Sequence, residues 1–192
     1  MEAFHRGVMK KVKGDPKLAK KFNFGLKLTK ALRKVGIDLR RKIFDSVHEN
    51  FGGRIRLLIA GGAAIAPELL SDMQDLGFGC IQGYGLSVCA PILALNRAEY
   101  FNNRSAGLPL PGVDVKILDP DENGIGEIAG RGDNVMLGYY KNEEATREVI
   151  DEEGFFHTGD YGYLDENNFV IITGRKANII VTKNGKNIFP EE

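Results

Sequence analysis

Two runs of small residues follow predicted strands and have the composition of a nucleotide-binding edge. The run GGAA at 61–64 separates a buried strand from a helix, and GYG at 83–85 follows the next strand. Ligands bind at the carboxyl ends of the strands of open α/β sheets, so both runs belong to one edge. A planar base would fit between the Tyr84 ring and the GGAA backbone, with Ser87 near a phosphate. Each run alone also fits a plain strand-to-helix loop or a buried tyrosine in a turn.

Two charged residues further along the chain have the chemistry to bind the rest of a nucleotide. Asp160, in TGD at 158–160 between two predicted strands, can accept both hydroxyls of a ribose diol. In isolation, an aspartate at a turn more commonly caps backbone N–H groups. Arg175 opens the basic run 174–185, and its planar guanidinium suits a phosphate or ribose contact. That run has no Walker spacing, and 124–130 lacks the glycine spacing of a dinucleotide fingerprint.

Helices are predicted in the N-terminal part of the chain. Apolar residues at helical spacing, broken by Gly14-Asp15-Pro16 and Gly36, indicate helices over 2–13, 16–35 and 39–51. Asp38 is the predicted N-cap of the third helix. A strand–helix–strand unit then follows, over 54–61, 67–77 and 78–85. Its first strand ends in a continuous apolar run, which predicts burial on both faces and a parallel pair of strands, with 92–95 joining the sheet.

The second half of the sequence consists of short strands separated by turn residues. These strands are predicted at 113–118, 125–130, 154–160, 161–165, 168–173 and 179–181, with a helix over 143–150 capped by Asn142. The predicted fold class is α/β: a partial parallel α/β sheet preceded by helices and followed by a small antiparallel sheet or barrel-like subdomain. The expected divisions are 1–104, 105–174 and a hinge segment 175–192 that begins a further domain.

Composition limits the environment and the partners. The 192 residues carry no net charge, but residues 1–50 hold 14 Lys/Arg against 5 Asp/Glu, a net of +9. Such a basic segment is compatible with anionic lipid, nucleic acid or a phosphorylated ligand, and also with a simple solvated surface. Cys80 and Cys89 have neither metal-site nor disulfide spacing. The longest apolar run is far below the roughly 20 residues of a membrane span, so we expect a cytoplasmic protein.

Four stretches in a fixed order are more specific than any one of them. They are LLIAGGAAIAPELL at 57–70, QGYGLSVCAP at 82–91, FFHTGD at 155–160 and TGRKANIIVTKNGKNIFPEE at 173–192. Together they resemble the adenylate-forming (AMP-binding) superfamily and, within it, the long-chain fatty acid–CoA ligases (acyl-CoA synthetases). The N-terminal helices resemble the same subgroup, so the resemblance covers essentially the whole chain.

The resemblance implies roles for particular residues. Adenine contacts are implied for Gly62, Ala63, Ala64, Gln82, Gly83, Tyr84 and Gly85. Ser87 stands where the family has a threonine that contacts the α-phosphate. Asp160 matches the aspartate that binds the ribose hydroxyls, and Arg175 matches an arginine that contacts ribose and phosphate. The implied reaction joins a fatty acid to CoA through an acyl-AMP formed from ATP, with Mg²⁺ as the family's metal and no nucleic-acid partner.

The resemblance also implies what this chain does not contain. The family's phosphate-binding loop lies upstream, and the domain with its catalytic lysine lies downstream. We therefore expect the back half of an N-terminal domain plus the hinge, with no catalytic residue and no activity in isolation. A fatty-acyl enzyme with a basic segment at 1–50 is further expected to contact anionic membrane peripherally.

Two positions depart from the family's pattern. Val88 stands where a glutamate normally binds Mg²⁺, and valine offers no oxygen ligand to a hard cation. Ala177 occupies the hinge position, with Lys176 one place earlier. Two alternatives therefore stay open: a degenerate AMP- or acyl-binding module that does not adenylate, and an adenylating enzyme for another carboxylate, such as an aryl or amino acid.

Overall fold

The computed structural model describes residues 1–63, 65–178, 180–181 and 187–188. Two compact units divide the chain: Met1–Ala60 with Ala64–Ile81, and Gly61–Ala63 with Gln82–Glu192. The sequence-based divisions at 104 and 174 stay predictions. Ala64, the first residue of the strand predicted at 179–181, and residues 182–185 of the basic run lie outside the described residues.

The first unit opens with two helices where the apolar spacing predicts them. Helix α1 spans Glu2–Gly14 and α2 spans Pro16–Arg33. The Asp15 carboxylate accepts hydrogen bonds from the backbone N–H groups of Lys17 and Leu18, and proline occupies the first helical position. This local chemistry fixes the break between the helices. No helix among the described residues is long and apolar enough to cross a membrane.

The predicted third helix is wrong as a single element. It forms two short helices, α3 over Arg40–Ile43 and α4 over Asp45–Glu49, separated at Phe44. Phe44 has non-helical backbone angles (φ −104°, ψ 27°), and its side chain is buried in the core of this unit. The Asp38 carboxylate accepts from the backbone N–H of Arg40 and also from its guanidinium, a pairing that lowers the pKa of Asp38 to about 2.

The strand–helix–strand unit forms as predicted. Strand β1 spans Leu57–Ala60, helix α5 spans Pro67–Asp75 and strand β2 spans Gly79–Tyr84 next to β1. The core of the first compact unit consists of apolar side chains from these elements and from the helical segment before them. They are Phe44, Leu69, Leu70, Met73, Leu76, Phe78 and Cys80. Burial of β1 on both faces is wrong for this chain, because Leu57 and Ile59 are 44% and 56% exposed. Only the other face of β1 packs on that core.

The second unit contains two short strands and a separate antiparallel sheet. Strand β3, Ala94–Leu95, pairs antiparallel with the end of β2, and β4, Leu108–Pro109, pairs antiparallel with β3. A second, antiparallel sheet has the order β5-β6-β7-β8. Its strands are β5 Val113–Leu118, β6 Gly126–Gly132, β7 Phe156–Leu164 and β8 Val170–Arg175. The predicted α/β class with a small antiparallel sheet is confirmed.

Shorter elements complete the second unit. Helix α6, Glu143–Val149, begins after Asn142, whose side-chain oxygen accepts from the N–H of Ala145 as predicted for an N-cap. Strands β9, Ile180–Val181, and β10, Asn187–Ile188, pair antiparallel.

The separate strands predicted at 154–160 and 161–165 are wrong. They form the single strand β7, and TGD lies inside it instead of in a turn between strands. The pairing of β7 with β6 shifts between Glu127 and Ala129, so the extra residues are accommodated as a bulge.

Candidate functional site

The bulge in β7 is built by hydrogen bonds to the neighbouring strand β6. His157 pairs with Ala129 and Tyr161 pairs with Glu127, so residues 158–160 stand opposite Ile128 alone. The Thr158 hydroxyl donates to the carbonyl of Ile128 (2.7 Å) and accepts from the N–H of Asp160 (3.1 Å). Gly159 has φ +71°, a left-handed conformation that glycine adopts without steric cost.

The bulge places the Asp160 carboxylate between two other predicted site residues. The hydroxyl of Tyr84 donates to Asp160 Oδ2 at 2.6 Å, and Nε of Arg175 lies 2.9 Å from Oδ1. Asp160 is only 4% exposed, whereas the Arg175 side chain is 65% exposed. Among the residues that the structure describes, Tyr84 and Arg175 thus each contact a different oxygen of this carboxylate.

Tyr84 is held as a neutral hydrogen-bond donor. Burial, and then the hydrogen bond to Asp160, raise the pKa of its phenol well above the usual range. Its ring packs against two apolar clusters, one around Leu93 and Phe156 and the other around Ala94 and Ile128. Stacking of a base on this ring stays a prediction.

The two small-residue runs approach each other within the second unit. A Cβ atom on Gly61 would lie 3.8 Å from the carbonyl oxygen of Gly83. Gly62 and Ala63 are exposed, and a Cβ on Gly62 (φ +81°) would meet no atom within 4 Å. Gly85 instead has no room for a side chain, because its Cβ would lie 1.8 Å from the carbonyl oxygen of Pro91. The backbone of 61–63 is thus open, whereas that at Gly85 is tightly packed.

The remaining predicted residues differ in their accessibility. The carboxamide of Gln82 donates to the carbonyls of Ser105 (2.6 Å) and Asn103 (3.3 Å), which occupies its N–H groups in holding a neighbouring loop. Ser87 is exposed at the start of a 3-10 turn, Ser87–Cys89. The structure therefore brings Tyr84, Asp160 and Arg175 into direct contact, and it places the Ser87 side chain at the exposed surface.

Val88 takes part in apolar packing. Its half-buried side chain packs against the cluster of Cys89, Leu93 and Phe156, and its carbonyl accepts from the N–H of Met136 at 2.8 Å. Among the described residues, no group of three or more His, Cys, Asp or Glu side chains is arranged to hold a metal ion. The side chains around residue 88 therefore do not fit the oxygen ligand set that Mg²⁺ requires.

Two residues that sequence reasoning missed support the site. The Nδ2 group of Asn134 donates to the carbonyls of Cys89 (2.9 Å) and Ile92 (2.8 Å), which fixes the segment after Ser87. The Glu127 carboxylate, 11% exposed, accepts from the N–H of Gly159 at 3.0 Å. A signal for Glu127 is present, since it is the only charged residue in the strand segment 125–130.

Comparison with known proteins gives a family match over most of the chain. Residues 13–140 match the family described as AMP-binding enzyme. Long-chain-fatty-acid–CoA ligase FadD15 of Mycobacterium bovis is 37% identical over 150 residues, 78% of this chain and 24% of the relative. The probable 4-coumarate–CoA ligase 2 of Dictyostelium discoideum is 41% identical over 138 residues, 67% of this chain and 25% of the relative. The chain thus spans about a quarter of the length of these relatives.

Solved structures give the same result. O-succinylbenzoate coenzyme A synthetase (MenE) from Bacillus subtilis, in complex with AMP, superposes with a TM-score of 0.65 and is 30% identical. That match covers 78% of this chain and 33% of the other. Apo MatB from Rhodopseudomonas palustris superposes with a TM-score of 0.64 at 27% identity, over 78% of this chain and 32% of the other.

Proposed function

The chain belongs to the AMP-binding enzyme family, and on that premise we propose that it forms part of the nucleotide site of an ATP-dependent fatty acid–CoA ligase. In the proposed reaction a carboxylate oxygen attacks the α-phosphorus of ATP, which gives acyl-AMP and releases pyrophosphate. The sulfur of CoA then attacks the acyl carbonyl, AMP leaves, and the thiol proton is lost.

The contact of Tyr84, Asp160 and Arg175 is the observation that carries this proposal. Tyr84 and Arg175 hold Asp160 in one orientation, and a carboxylate has the acceptor chemistry to bind the two hydroxyls of a ribose diol. The exposed Arg175 guanidinium offers its other N–H groups to a phosphate. The open backbone at Gly62 and Ala63 allows a flat base to approach. These residues bind and orient, and the proposal assigns no proton transfer to them.

Mg²⁺ supplies electrostatic stabilisation to phosphoryl transfer where it is bound. Because Val88 has no ligand atom and packs against apolar side chains, we assign no step of the reaction to a metal held by this chain. We also propose that the isolated chain does not turn over. Pyrophosphate release or acyl-hydroxamate formation by the isolated chain would contradict that part.

Calorimetric titration of the chain with AMP tests the nucleotide site. Asp160→Asn and Arg175→Gln are each expected to weaken binding about tenfold, as expected for one charged hydrogen bond. Arg175→Gln is expected to disturb folding less than Asp160→Asn, because the Arg175 side chain is mostly exposed. Asp133→Asn, at an exposed position, is the matched control and should leave the affinity unchanged. Absence of AMP binding by the unmodified chain would refute the proposal.

Val88 supports a second candidate, a nucleotide- or acyl-binding module that does not adenylate. The deciding experiment is carboxylate-dependent pyrophosphate release by the full-length protein that contains this chain. If the valine has ended adenylation, that protein is inactive and Val88→Glu restores Mg²⁺-dependent activity. Full activity of the unmodified protein with Mg²⁺ would exclude this candidate.

The identity of the carboxylate has its own alternative. The 41% identity to a probable 4-coumarate–CoA ligase favours consideration of aryl acids beside fatty acids. CoA-ester formation by the full-length protein, with palmitate and 4-coumarate in competition, distinguishes the two. Preferential use of the aryl acid would refute the fatty-acyl assignment.

Peripheral membrane contact through residues 1–50 is proposed as well. On α2, Phe24 is 67% exposed and Leu28 is 38% exposed one turn later, with exposed Lys20 and Lys27 beside them. Exposed apolar side chains with flanking lysines favour binding at an anionic lipid surface. Co-sedimentation with phosphatidylserine-containing vesicles at low salt, lost with neutral vesicles and after Lys20→Glu/Lys27→Glu, is the expected result. No sedimentation at low salt would refute the contact.

A further inference from the structure

Glu127 is a nearly buried carboxylate that contacts two segments next to candidate site residues. It lies on β6 between Gly126 and Ile128, and its own side chain is 11% exposed. A buried carboxylate is unfavourable unless hydrogen bonds and opposite charges compensate for its lost hydration. Its contacts therefore indicate why the strand tolerates it.

The two oxygens of Glu127 have different partners. Oε1 accepts from the backbone N–H of Gly159 at 3.0 Å, the residue before Asp160. Oε2 accepts from Nζ of Lys176 at 3.2 Å, the residue after Arg175. The ion pair with Glu127 also raises the pKa of Lys176. One side chain thus joins the bulge of β7 to the residue that follows β8.

A second basic group borders the same carboxylate at a longer distance. Nδ1 of His157 lies 3.8 Å from Oε2 of Glu127, and its Nε2 lies 3.7 Å from Asp151. Both distances exceed that of a hydrogen bond, so the directed contacts of Glu127 are those with Gly159 and Lys176.

We propose that Glu127 is a positioning residue. It holds the bulge at Gly159, which orients Asp160, and its ion pair with Lys176 holds that residue next to Arg175. Because the two contacts use different oxygens of one carboxylate, loss of the ion pair alone frees the segment 176–178, whereas loss of the whole Glu127 side chain also loosens the bulge. The resemblance to adenylate-forming enzymes implies a hinge at this segment. This inference rests on the proposed function only for its consequence on nucleotide binding.

Three variants of the 192-residue chain separate the two contacts. Glu127→Gln keeps an oxygen acceptor for the Gly159 N–H but removes the charge that holds Lys176. Lys176→Met removes the ion pair alone, and Glu127→Ala removes both contacts. Glu153→Gln, which breaks the exposed Lys116–Glu153 pair, is the control.

Amide hydrogen exchange of Gly159, measured by NMR, reads the bulge without any ligand. Exchange is expected to be about tenfold or more faster in Glu127→Ala, as expected for loss of one hydrogen bond to a charged acceptor. Lys176→Met and the control should stay within about twofold, and Glu127→Gln should speed exchange less than Glu127→Ala because its neutral amide oxygen still accepts. Backbone ¹⁵N relaxation should show increased mobility at 176–178 in Glu127→Gln and Lys176→Met, but not in the control.

AMP titration of the same variants connects the bulge to the site. Glu127→Ala should weaken AMP binding about tenfold, matching the change in Gly159 exchange. Unchanged Gly159 exchange in Glu127→Ala would overturn the proposal. Unchanged mobility at 176–178 in both Glu127→Gln and Lys176→Met would also overturn it. If Glu127→Ala fails to fold, the mobility of residues 176–178 in Glu127→Gln and Lys176→Met still decides whether the Glu127 carboxylate holds this segment. If the unmodified chain does not bind AMP, the proposed function fails while the exchange data still decide the role of Glu127.

Discussion

Removal of the Tyr84 hydroxyl should destabilise the second unit by a predictable amount. Tyr84→Phe deletes a donor that lies 2.6 Å from one oxygen of the buried Asp160 carboxylate, while the ring stays in place and leaves no cavity. A hydrogen bond to a charged group contributes about 1.5–3 kcal/mol, so we expect the free energy of unfolding to fall by about 2 kcal/mol. That is about a 30-fold change in the unfolding equilibrium constant.

Urea denaturation followed by far-UV circular dichroism measures this change. Since the chain has two compact units, unfolding need not be a single transition. Labelling of Cys89 in a Cys80→Ala background reports on the second unit alone. Tyr140→Phe, at a residue 88% exposed, is the control and should change stability by less than about 0.5 kcal/mol. A loss in Tyr84→Phe no larger than that of the control would refute the interpretation of the contact.

The pH dependence of the stability difference between the unmodified chain and Tyr84→Phe is a second, independent test of this prediction. The pKa of Tyr84 is raised in the folded chain above the unfolded value of about 10, so its phenol stays protonated in the folded state. Its stabilisation is fully present below about pH 10 and is lost as pH rises further, because the unfolded chain then releases the proton first. The stability difference between the unmodified chain and Tyr84→Phe should be constant from about pH 7 to 9 and shrink above about pH 10. A difference that stays constant through pH 11 would contradict this.

Two further predictions concern backbone space and thiol burial. Gly85→Ala should lower the free energy of unfolding by about 3 kcal/mol or more, because its Cβ would overlap the carbonyl of Pro91, whereas Gly62→Ala should lose only about 1 kcal/mol, from its positive φ in open space. Equal melting temperatures for the two variants would contradict this contrast. Burial raises the pKa of Cys80 to about 11 and also raises that of Cys89, so neither thiol should react with a thiol reagent at pH 8 before unfolding. A rapid reacting fraction in native buffer would show that one of them is accessible.

Elements with local signals could be predicted from the sequence. Helix α2 begins where Asp15 and Pro16 supply a cap and a fixed φ, and α6 begins after the cap Asn142. The signals act within three residues of the helix end, so no knowledge of tertiary structure is needed.

Elements decided by distant contacts could not be predicted. The break between α3 and α4 follows burial of Phe44, and the bulge in β7 exists because Thr158 and Gly159 bond to groups on β6. From sequence alone, Gly159 predicts a turn, and only the strand register shows a bulge within one continuous strand. The exposed face of β1 is a similar case, since an apolar run does not tell which face another element covers.

The candidate site divides in the same way. The order of four motifs allowed Tyr84, Asp160 and Arg175 to be assigned to one site, although 76 residues separate the tyrosine from the aspartate. Glu127 and Asn134 were not predicted as site residues, because their roles depend on hydrogen bonds to backbone groups of other segments, which no spacing rule encodes. The sequence therefore identified residues that lie together in the structure better than it identified the residues that hold them in place.

Val88 leads to a prediction about the metal dependence of AMP binding. A glutamate here would add negative charge near Ser87, where the family resemblance places a phosphate, and that charge is tolerable only beside a cation. Valine removes both the ligand and the repulsion, so we expect AMP to bind the isolated chain equally well in Mg²⁺ and in EDTA. Val88→Glu should weaken binding in EDTA and recover it in Mg²⁺, while Val88→Gln, of similar size but neutral, should show no metal dependence. Calorimetric titration measures all three proteins, and Mg²⁺-dependent AMP binding by the unmodified chain would contradict this account of residue 88.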